Sequence, residues 1–128
     1  MKYRQFEDLP VWKDSANLAI QVYEFTVADE FRRHYGLRDQ LERAVQSISN
    51  NIAEGFERRS LREFHQFLTI AKASCAELRS QLYVALDCGY LSQATFDELR
   101  KQSDEVARII SGLRTAVEKK RQEQAIKR

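Results

Sequence analysis

The sequence predicts an all-α protein, an antiparallel four-helix bundle with up-down-up-down topology. Three observations favour this fold class. The 128 residues include one proline and four glycines, which is few chain-breaking residues for this length. Apolar side chains recur every three or four residues through four segments, which is the period of an α-helix. The breaks between the segments are short, and short connections make consecutive helices antiparallel.

Length and composition indicate a single domain with its own core. Apolar residues make up 43% of the chain and charged residues 31%, which suffices for a buried core and a solvated helical surface. No internal repeat or long linker divides the chain. We expect one bundle domain over residues 1–121. A basic C-terminal tail over residues 122–128 should fray, because the apolar spacing fails before it.

The N-terminal residues and the cysteines bear on the compartment. The stretch Met1–Asp8 alternates charged and aromatic residues and lacks the apolar region of a secretory signal. No apolar run approaches the roughly 20 residues of a membrane span. Cys75 and Cys88 lie about 20 Å apart along one predicted helix, too far for a disulfide. We expect a cytoplasmic protein with reduced cysteines and no membrane partner.

The first predicted helix begins at Leu9-Pro10, because proline is tolerated in the first helical turn. It ends near Ala28-Asp29, and residues 29–34 form the turn. Apolar stripes run along two opposite sides of this helix. The stripe expected to face the core is Trp12, Ala16, Ala19, Ile20, Tyr23 and Val27. A helix that is apolar on two sides is usually covered on both, so the other side should contact another subunit. The residues of this predicted subunit interface are Phe6, Val11, Trp12, Leu18, Val22 and Phe25.

The second and third helices have clear boundary signals. The second runs from Tyr35 to about Glu57. The third begins after Ser60, which forms a capping box with Glu63 three residues later. It ends at Gly89, since glycine adopts the left-handed conformation of a helix C-terminus without a steric penalty.

The fourth helix starts at one of two candidate N-cap residues. Ser92 and Thr95 both carry the hydroxyl that such a position favours. The apolar spacing continues from there to about Glu118. The sequence therefore leaves the first turn of this helix open.

A row of polar residues lies beside the apolar stripe of the second helix. Polar groups near a core need partners, since each unpaired group costs about 1–3 kcal/mol. If the second and third helices fold back near residue 60, Arg43 lies opposite Glu77, and Glu54 lies opposite His65. We predict a charge-assisted hydrogen bond between Arg43 and Glu77 that holds the helix register. The polar row consists of Gln40, Arg43, Ser47, Asn51 and Glu54.

Residues that carry catalytic chemistry are few. His34 and His65 are the two histidines, and neither belongs to the Glu-x-x-His pattern of di-iron bundles. Metal ligation by Glu54, His65 and Glu77 is an alternative role for the polar strip, although it lacks a second histidine. Cys75 has no cationic neighbour that would lower its pKa. We expect no enzyme activity, no cofactor and no metal.

Basic residues gather at two places in the sequence. Residues 114–128 contain six basic and two acidic side chains, whereas the rest of the chain contains 15 basic and 17 acidic ones. A second cluster lies at the turn between the second and third helices. Such clusters attract phosphate groups, although a solvated turn and a frayed tail would have the same composition. The candidate nucleic-acid contacts are Arg58, Arg59, Arg62, Lys119, Lys120 and Arg121.

Two phrases in the second helix are specific, Gln40-Leu41-x-Arg43-Ala44 and Asn51-Ile52-Ala53-Glu54-Gly55. With them, the sequence resembles the bacterial four-helix bundle protein family named after the open reading frame in intervening sequences of 23S ribosomal RNA genes. The resemblance covers residues 6 to about 117. The residues that match the family motif in the second helix are Gln40, Arg43, Ser47, Asn51, Glu54 and Gly55.

The resemblance implies a four-helix subunit that assembles into a homopentameric ring or barrel and has no enzyme activity. A more distant relative of the fold is the accessory protein of diversity-generating retroelements, a basic pentamer that binds nucleic acid and a reverse transcriptase. We expect a non-catalytic homo-oligomer that serves as an interaction or scaffold subunit. The alternative is an RNA- or DNA-binding accessory protein whose basic clusters repeat around a ring.

Overall fold

The computed structural model describes residues 2–28, 31 and 33–127. This part of the chain contains no β-strand, so the predicted all-α class is confirmed. Parts of the predicted first turn, at residues 29, 30 and 32, lie outside the described residues. The described helices are a short 3₁₀ helix, Phe6–Asp8, and four α-helices, α1 Pro10–Thr26, α2 Tyr35–Glu57, α3 Leu61–Asp87 and α4 Gln93–Ile126.

The four α-helices form a closed ring in chain order. Each helix packs against the next, and α4 packs back against α1. Gln81 of α3 donates a hydrogen bond to Gln40 of α2 at 2.9 Å. Further along the same pair of helices, the hydroxyls of Ser47 and Ser74 lie 2.7 Å apart. Residue numbers rise along α2 as they fall along α3, so these neighbours are antiparallel, as predicted.

The core is built from the inner sides of all four helices. Aromatic pairs close both ends of it: Phe56 meets Phe64 edge to face at 5.7 Å, and Phe25 meets Phe31 at 5.2 Å. Each fully buried aliphatic side chain contributes roughly 1.5–3 kcal/mol. None of the helices in the described residues is long and apolar enough to cross a membrane. Fully buried members of the core include Leu18, Val22, Leu41, Val45, Ile48, Ile52, Leu68, Leu78, Leu82 and Ile110.

Helix α1 buries the side that was expected to face another subunit. Val11, Leu18 and Val22 are at most 3% exposed and belong to the core of their own chain, so the predicted subunit interface is wrong for these residues. Ile20 and Val27, which were expected in the core, are 54% and 65% exposed. The other predicted interface residues, Phe6, Trp12 and Phe25, are half-buried and pack against the core.

Two hydroxyl residues explain why the buried side of α1 differs from the side that the sequence predicts. Ser15 and Thr26 interrupt the apolar stripe that contains Leu18, yet both are fully buried. The Ser15 hydroxyl donates to the carbonyl of Trp12 at 2.8 Å, and that of Thr26 to the carbonyl of Tyr23 at 3.1 Å. A hydroxyl that donates to a carbonyl of its own helix can be buried at little cost. Counting the apolar residues on each side of a helix does not detect such buried hydroxyl residues.

The helix ends follow the signals in the sequence. The Ser60 hydroxyl accepts a hydrogen bond from the N–H of Glu63 at 3.3 Å, which is one half of the predicted capping box, whereas the Glu63 carboxylate lies 3.7 Å from Arg58. Gly89 adopts a φ of +80° just after α3. Of the two candidate N-caps of α4, Ser92 is the one used, and its hydroxyl accepts from the N–H of Thr95 at 3.1 Å.

Helix α4 continues to Ile126, so residues 122–126 are helical where the sequence predicts a frayed tail. Arg128, the end of that predicted tail, lies outside the described residues. The segment consists mainly of residues with high helix propensity. A bidentate hydrogen-bonded pair, from Arg121 to Glu118 at 2.8 and 3.0 Å, also supports this part of the helix.

Candidate nucleic-acid interface

Part of the polar row of α2 forms the contact between α2 and α3. The Asn51 amide donates to the carbonyl and the hydroxyl of Ser47, at 2.7 and 3.0 Å. Ser47 in turn meets the hydroxyl of Ser74 across the helix pair, and Ser74 also donates to the carbonyl of Ile70 at 3.1 Å. These groups satisfy one another in a part-buried position, so two motif residues have a structural role here.

The predicted pair between Arg43 and Glu77 is not formed. Arg43 Nε lies 3.0 Å from a carboxylate oxygen of Asp39 one turn earlier, and the Arg43 side chain is 79% exposed. The register of α2 against α3 differs by one residue from the predicted one, because Ser47 faces Ser74. The position opposite Glu77 is therefore Ala44, and Arg43 projects to one side of the contact.

Glu54 and His65 are also separated in the structure. Glu54 accepts a hydrogen bond from Arg58 at 2.8 Å, whereas His65 borders a groove between α3 and α4. Among the described residues, no three His, Cys, Asp or Glu side chains come together as metal ligands would. The positions of Glu54, His65 and Glu77 therefore do not support the alternative role as metal ligands.

A cleft of about 740 Å³ opens at the end of the bundle where the α2–α3 turn approaches the last turns of α4. Five cationic side chains from three separate segments line it, and none of its lining residues is acidic. We call it the basic cleft. Its cations are Arg4, Arg59, Arg62, Lys120 and Arg121.

The turn and the N-terminal segment hold one wall of the basic cleft. Arg59 has a φ of +57°, in the left-handed region, which costs a non-glycine residue roughly 1–2 kcal/mol. Its guanidinium lies 5.0 Å from the Phe56 ring and donates to the carbonyl of Arg4. The N–H of Phe6 donates to the Glu57 carboxylate at 3.3 Å. These contacts attach the N-terminal segment to the turn and place Arg4 beside Arg59.

The charges of the basic cleft are only partly neutralised. The hydrogen bond between Arg121 and Glu118 raises the pKa of Arg121 and lowers that of Glu118. Among the described residues, Arg4, Arg62 and Lys120 have no carboxylate within ion-pair distance. Exposed ion pairs are worth about 0–1 kcal/mol, so an incoming anion can compete for the paired cations as well.

Comparison with known proteins identifies the family of this chain. The family described as 23S rRNA-intervening sequence protein matches residues 7–112. The chain belongs to the 23S rRNA-intervening sequence protein family. A crystal structure of a protein with unknown function from the S23 ribosomal protein family of Bacteroides thetaiotaomicron VPI-5482 is similar, with a TM-score of 0.74 and 22% identity. The match covers 80% of this chain and 96% of that one and shows a shared fold. No curated protein matches the chain.

The family match covers only part of the basic cleft of this 23S rRNA-intervening sequence protein. Arg59 and Arg62 lie within residues 7–112, whereas Arg4, Lys120 and Arg121 lie beyond its two ends. The α2–α3 turn therefore belongs to the region shared with the family. The other two walls of the cleft come from outside the matched region.

The structure brings together four of the six predicted nucleic-acid contacts of this family member. Arg58 is not among them, because it pairs with Glu54 at 2.8 Å and Glu63 at 3.7 Å and lies over the Phe67 ring. Its hydrogen bond to Glu54 raises the pKa of Arg58. Lys119 faces the neighbouring groove instead. The four contacts in the cleft are Arg59, Arg62, Lys120 and Arg121.

Sequence reasoning missed the contribution of the N-terminal segment to the basic cleft. Tyr3 and Arg4 both line it, and Tyr3 is half-buried there. The signal in the sequence was the presence of basic and aromatic residues together before α1, since sites for single-stranded nucleic acid combine cations with stacking aromatic rings. Nothing in the sequence showed that this segment would reach the α2–α3 turn.

Proposed function

We propose that this protein binds nucleic acid through the basic cleft, as a non-catalytic subunit. The observation that carries the proposal is the convergence of five cations and no carboxylate on one cleft. Arginine and lysine side chains neutralise backbone phosphates and release the counterions condensed on them. A cleft of this size and charge would fit the backbone of a nucleic acid better than a neutral ligand.

The position of the cleft at a helix end supports the same proposal. Ser60, Leu61 and Arg62, at the start of α3, line it. A helix N-terminus carries a partial positive charge that favours anions. Tyr3 adds a half-buried aromatic ring on which a base can stack. Cations, a helix N-terminus and an aromatic ring therefore face the same space.

Binding of labelled single-stranded RNA, measured by fluorescence anisotropy between about 50 and about 200 mM salt, tests the proposal. The double variant Arg62→Gln/Lys120→Gln removes two cleft cations that have no carboxylate partner. We expect on the order of tenfold weaker binding and a salt slope reduced by about 1.4, since each lost phosphate contact on a single strand removes about 0.7.

The matched control also removes two positive charges, but from a part of the surface that does not line the cleft. Lys101→Gln/Arg108→Gln changes two cations on the surface of α4 away from the cleft, and its affinity should equal that of the wild type. Equal losses in both double variants would mean that net charge alone attracts RNA. Failure of the wild type to bind either RNA or DNA would overturn the proposal.

Self-association is a second candidate, favoured by apolar side chains on the outer surface of α3. Ile70 and Val84 are 48% and 45% exposed, and Glu77 lies midway between them. Residues seven apart share one side of a helix, so these three form an outer strip. Because the α1 stripe is buried, this strip replaces it as the proposed contact between copies, with the homopentamer implied by the family resemblance as the expected assembly.

Light scattering coupled to size-exclusion chromatography tests this second candidate. Ile70→Glu/Val84→Glu should convert an oligomer to a monomer, since it introduces two charges into an apolar contact. Ile20→Glu, on the exposed side of α1, is the control and should leave the assembly unchanged. A wild-type monomer at micromolar concentration would exclude self-association.

A further inference from the structure

A second groove, of about 400 Å³, runs between α3 and α4 beside the basic cleft. Three cations border it, against one carboxylate, that of Glu118. The Glu118 charge is already engaged, because Arg121 binds this carboxylate in a bidentate pair. The residues that border the groove are His65, Lys72, Ser111, Arg114, Thr115, Glu118, Lys119 and Gln122.

One side chain of the groove has an unsatisfied donor. The Nε of Arg114 is buried and has no hydrogen-bond partner among the described residues. A buried donor left without an acceptor costs about 1–3 kcal/mol, and more when the group is charged. Arg114 lines the groove together with Lys72 and Lys119. A phosphate that pairs with the Arg114 guanidinium at the groove would offset part of this cost.

An ion pair joins the groove to the basic cleft. Arg121 borders the cleft and Glu118 borders the groove, and their side chains are hydrogen-bonded at 2.8 Å. From Arg62 in the cleft to Lys72 in the groove, α3 advances about 15 Å. The two sites therefore adjoin at this pair, and a strand of a few nucleotides is long enough to reach from one to the other.

The spacing of two packed helices favours a single strand over a duplex. Their axes lie about 8–10 Å apart, which is narrower than a nucleic-acid duplex, so a duplex would lie across the α3/α4 groove whereas a single strand can lie along it. We infer that the ligand is a single-stranded nucleic acid that passes from the basic cleft into the α3/α4 groove, where Lys72, Arg114 and Lys119 hold its phosphates. This inference rests on the proposed function.

The test compares two lengths of labelled single-stranded RNA, about 4 and about 12 nucleotides, with a hairpin duplex of similar size. The variant Lys72→Gln/Lys119→Gln changes two exposed groove residues that do not line the cleft. We expect it to weaken binding of the long strand on the order of tenfold and lower its salt slope by about 1.4. The short strand can bind in the cleft without entering the groove, so its affinity should fall less than that of the long strand.

Further variants separate folding from binding. Arg114→Gln should weaken binding of the long strand more than binding of the short strand. The helical content of this variant, measured by circular dichroism, should match that of the wild type. If Arg114→Gln fails to fold, the two lysine substitutions still decide the matter, because both side chains are exposed. Lys101→Gln/Arg108→Gln is again the charge-matched control.

The outcomes distinguish this inference from the proposed function. In one outcome, the groove variant binds the long strand as tightly as the wild type while Arg62→Gln/Lys120→Gln binds it more weakly. That result would overturn the inference and leave the proposed binding at the cleft intact. If the duplex binds as tightly as the long strand and responds equally to the groove variant, the ligand is not selected as a single strand. If the wild type binds neither length, the proposed function fails together with the inference.

Discussion

Gly55 of α2 lies against Phe67 of α3 so closely that a Cβ atom on Gly55 would be 2.5 Å from the Phe67 Cβ. The Phe67 Cβ is attached directly to the backbone and cannot move without shifting α3. The two helices can approach this closely because Gly55 has no side chain. This gives a physical reason for a glycine in the family motif at this position.

Gly55→Ala should destabilise the protein, because overpacking at a close contact costs about 1–3 kcal/mol. Replacing a helical glycine by alanine gains back about 0.5–1 kcal/mol, so we expect a net loss of about 1–2 kcal/mol. Urea unfolding followed by circular dichroism measures it. Gly112→Ala is the matched control, since a Cβ at Gly112 meets nothing within 4 Å, and it should stabilise the protein. Stabilisation by both substitutions would contradict the close contact.

The hydroxyl pair of Ser47 and Ser74 should show a measurable coupling. Each single substitution by alanine should cost about 1 kcal/mol, because it removes a part-buried hydrogen bond across α2 and α3. The double variant should cost less than the two single losses together, with a coupling of about 0.5–1 kcal/mol in a double-mutant cycle. Additive losses would mean that the two hydroxyls do not interact in solution.

Arg43 and Glu77 should show no coupling, in contrast to what the sequence predicts. Both side chains are exposed, and Arg43 pairs with Asp39 on its own helix. A cycle of Arg43→Gln and Glu77→Gln should give a coupling near zero, whereas Arg43→Gln with Asp39→Asn should give about 0.3–0.5 kcal/mol. A coupling of about 2 kcal/mol between Arg43 and Glu77 would restore the predicted pair.

The two cysteines should differ in reactivity. Cys75 is buried and Cys88 is exposed, and both are free thiols. Alkylation of the folded protein near neutral pH should modify Cys88 alone, and both should react in denaturant. Mass spectrometry of the alkylated protein distinguishes these cases. Rapid modification of Cys75 in the folded state would contradict its burial.

Stability should fall at alkaline pH partly through Cys75. Burial raises the pKa of this thiol from 9.0 to about 12. The unfolded thiol therefore ionises first, so the stability that Cys75 contributes is present below about pH 9 and is lost as pH rises towards 12. Urea unfolding at several pH values measures the loss. In Cys75→Ala the free energy of unfolding should decline less above pH 9, because only the other titratable groups remain. An identical decline in the two proteins would mean that Cys75 does not contribute to the pH dependence.

Much of the fold could be predicted because its signals are local. The N-caps at Ser60 and Ser92 and the left-handed Gly89 depend on atoms within about four residues, and the structure has all three. The bounds of α2 agree with the prediction for the same reason. The partners of the polar row of α2 could not be predicted in the same way. Its presence was visible in the sequence, but a shift of one residue in register decided that Ser47, rather than Arg43, faces α3.

The sequence by itself determined that the chain forms four amphipathic helices, because helix period, caps and breaks are properties of neighbouring residues. Only the tertiary structure decided which side of α1 is buried, because Ser15 and Thr26 satisfy their own hydroxyls and lie beside Leu18 in the core. The tertiary structure also decided the candidate site. Arg62 and Lys120 are distant along the chain, and they line the same cleft because antiparallel packing brings the start of α3 beside the end of α4.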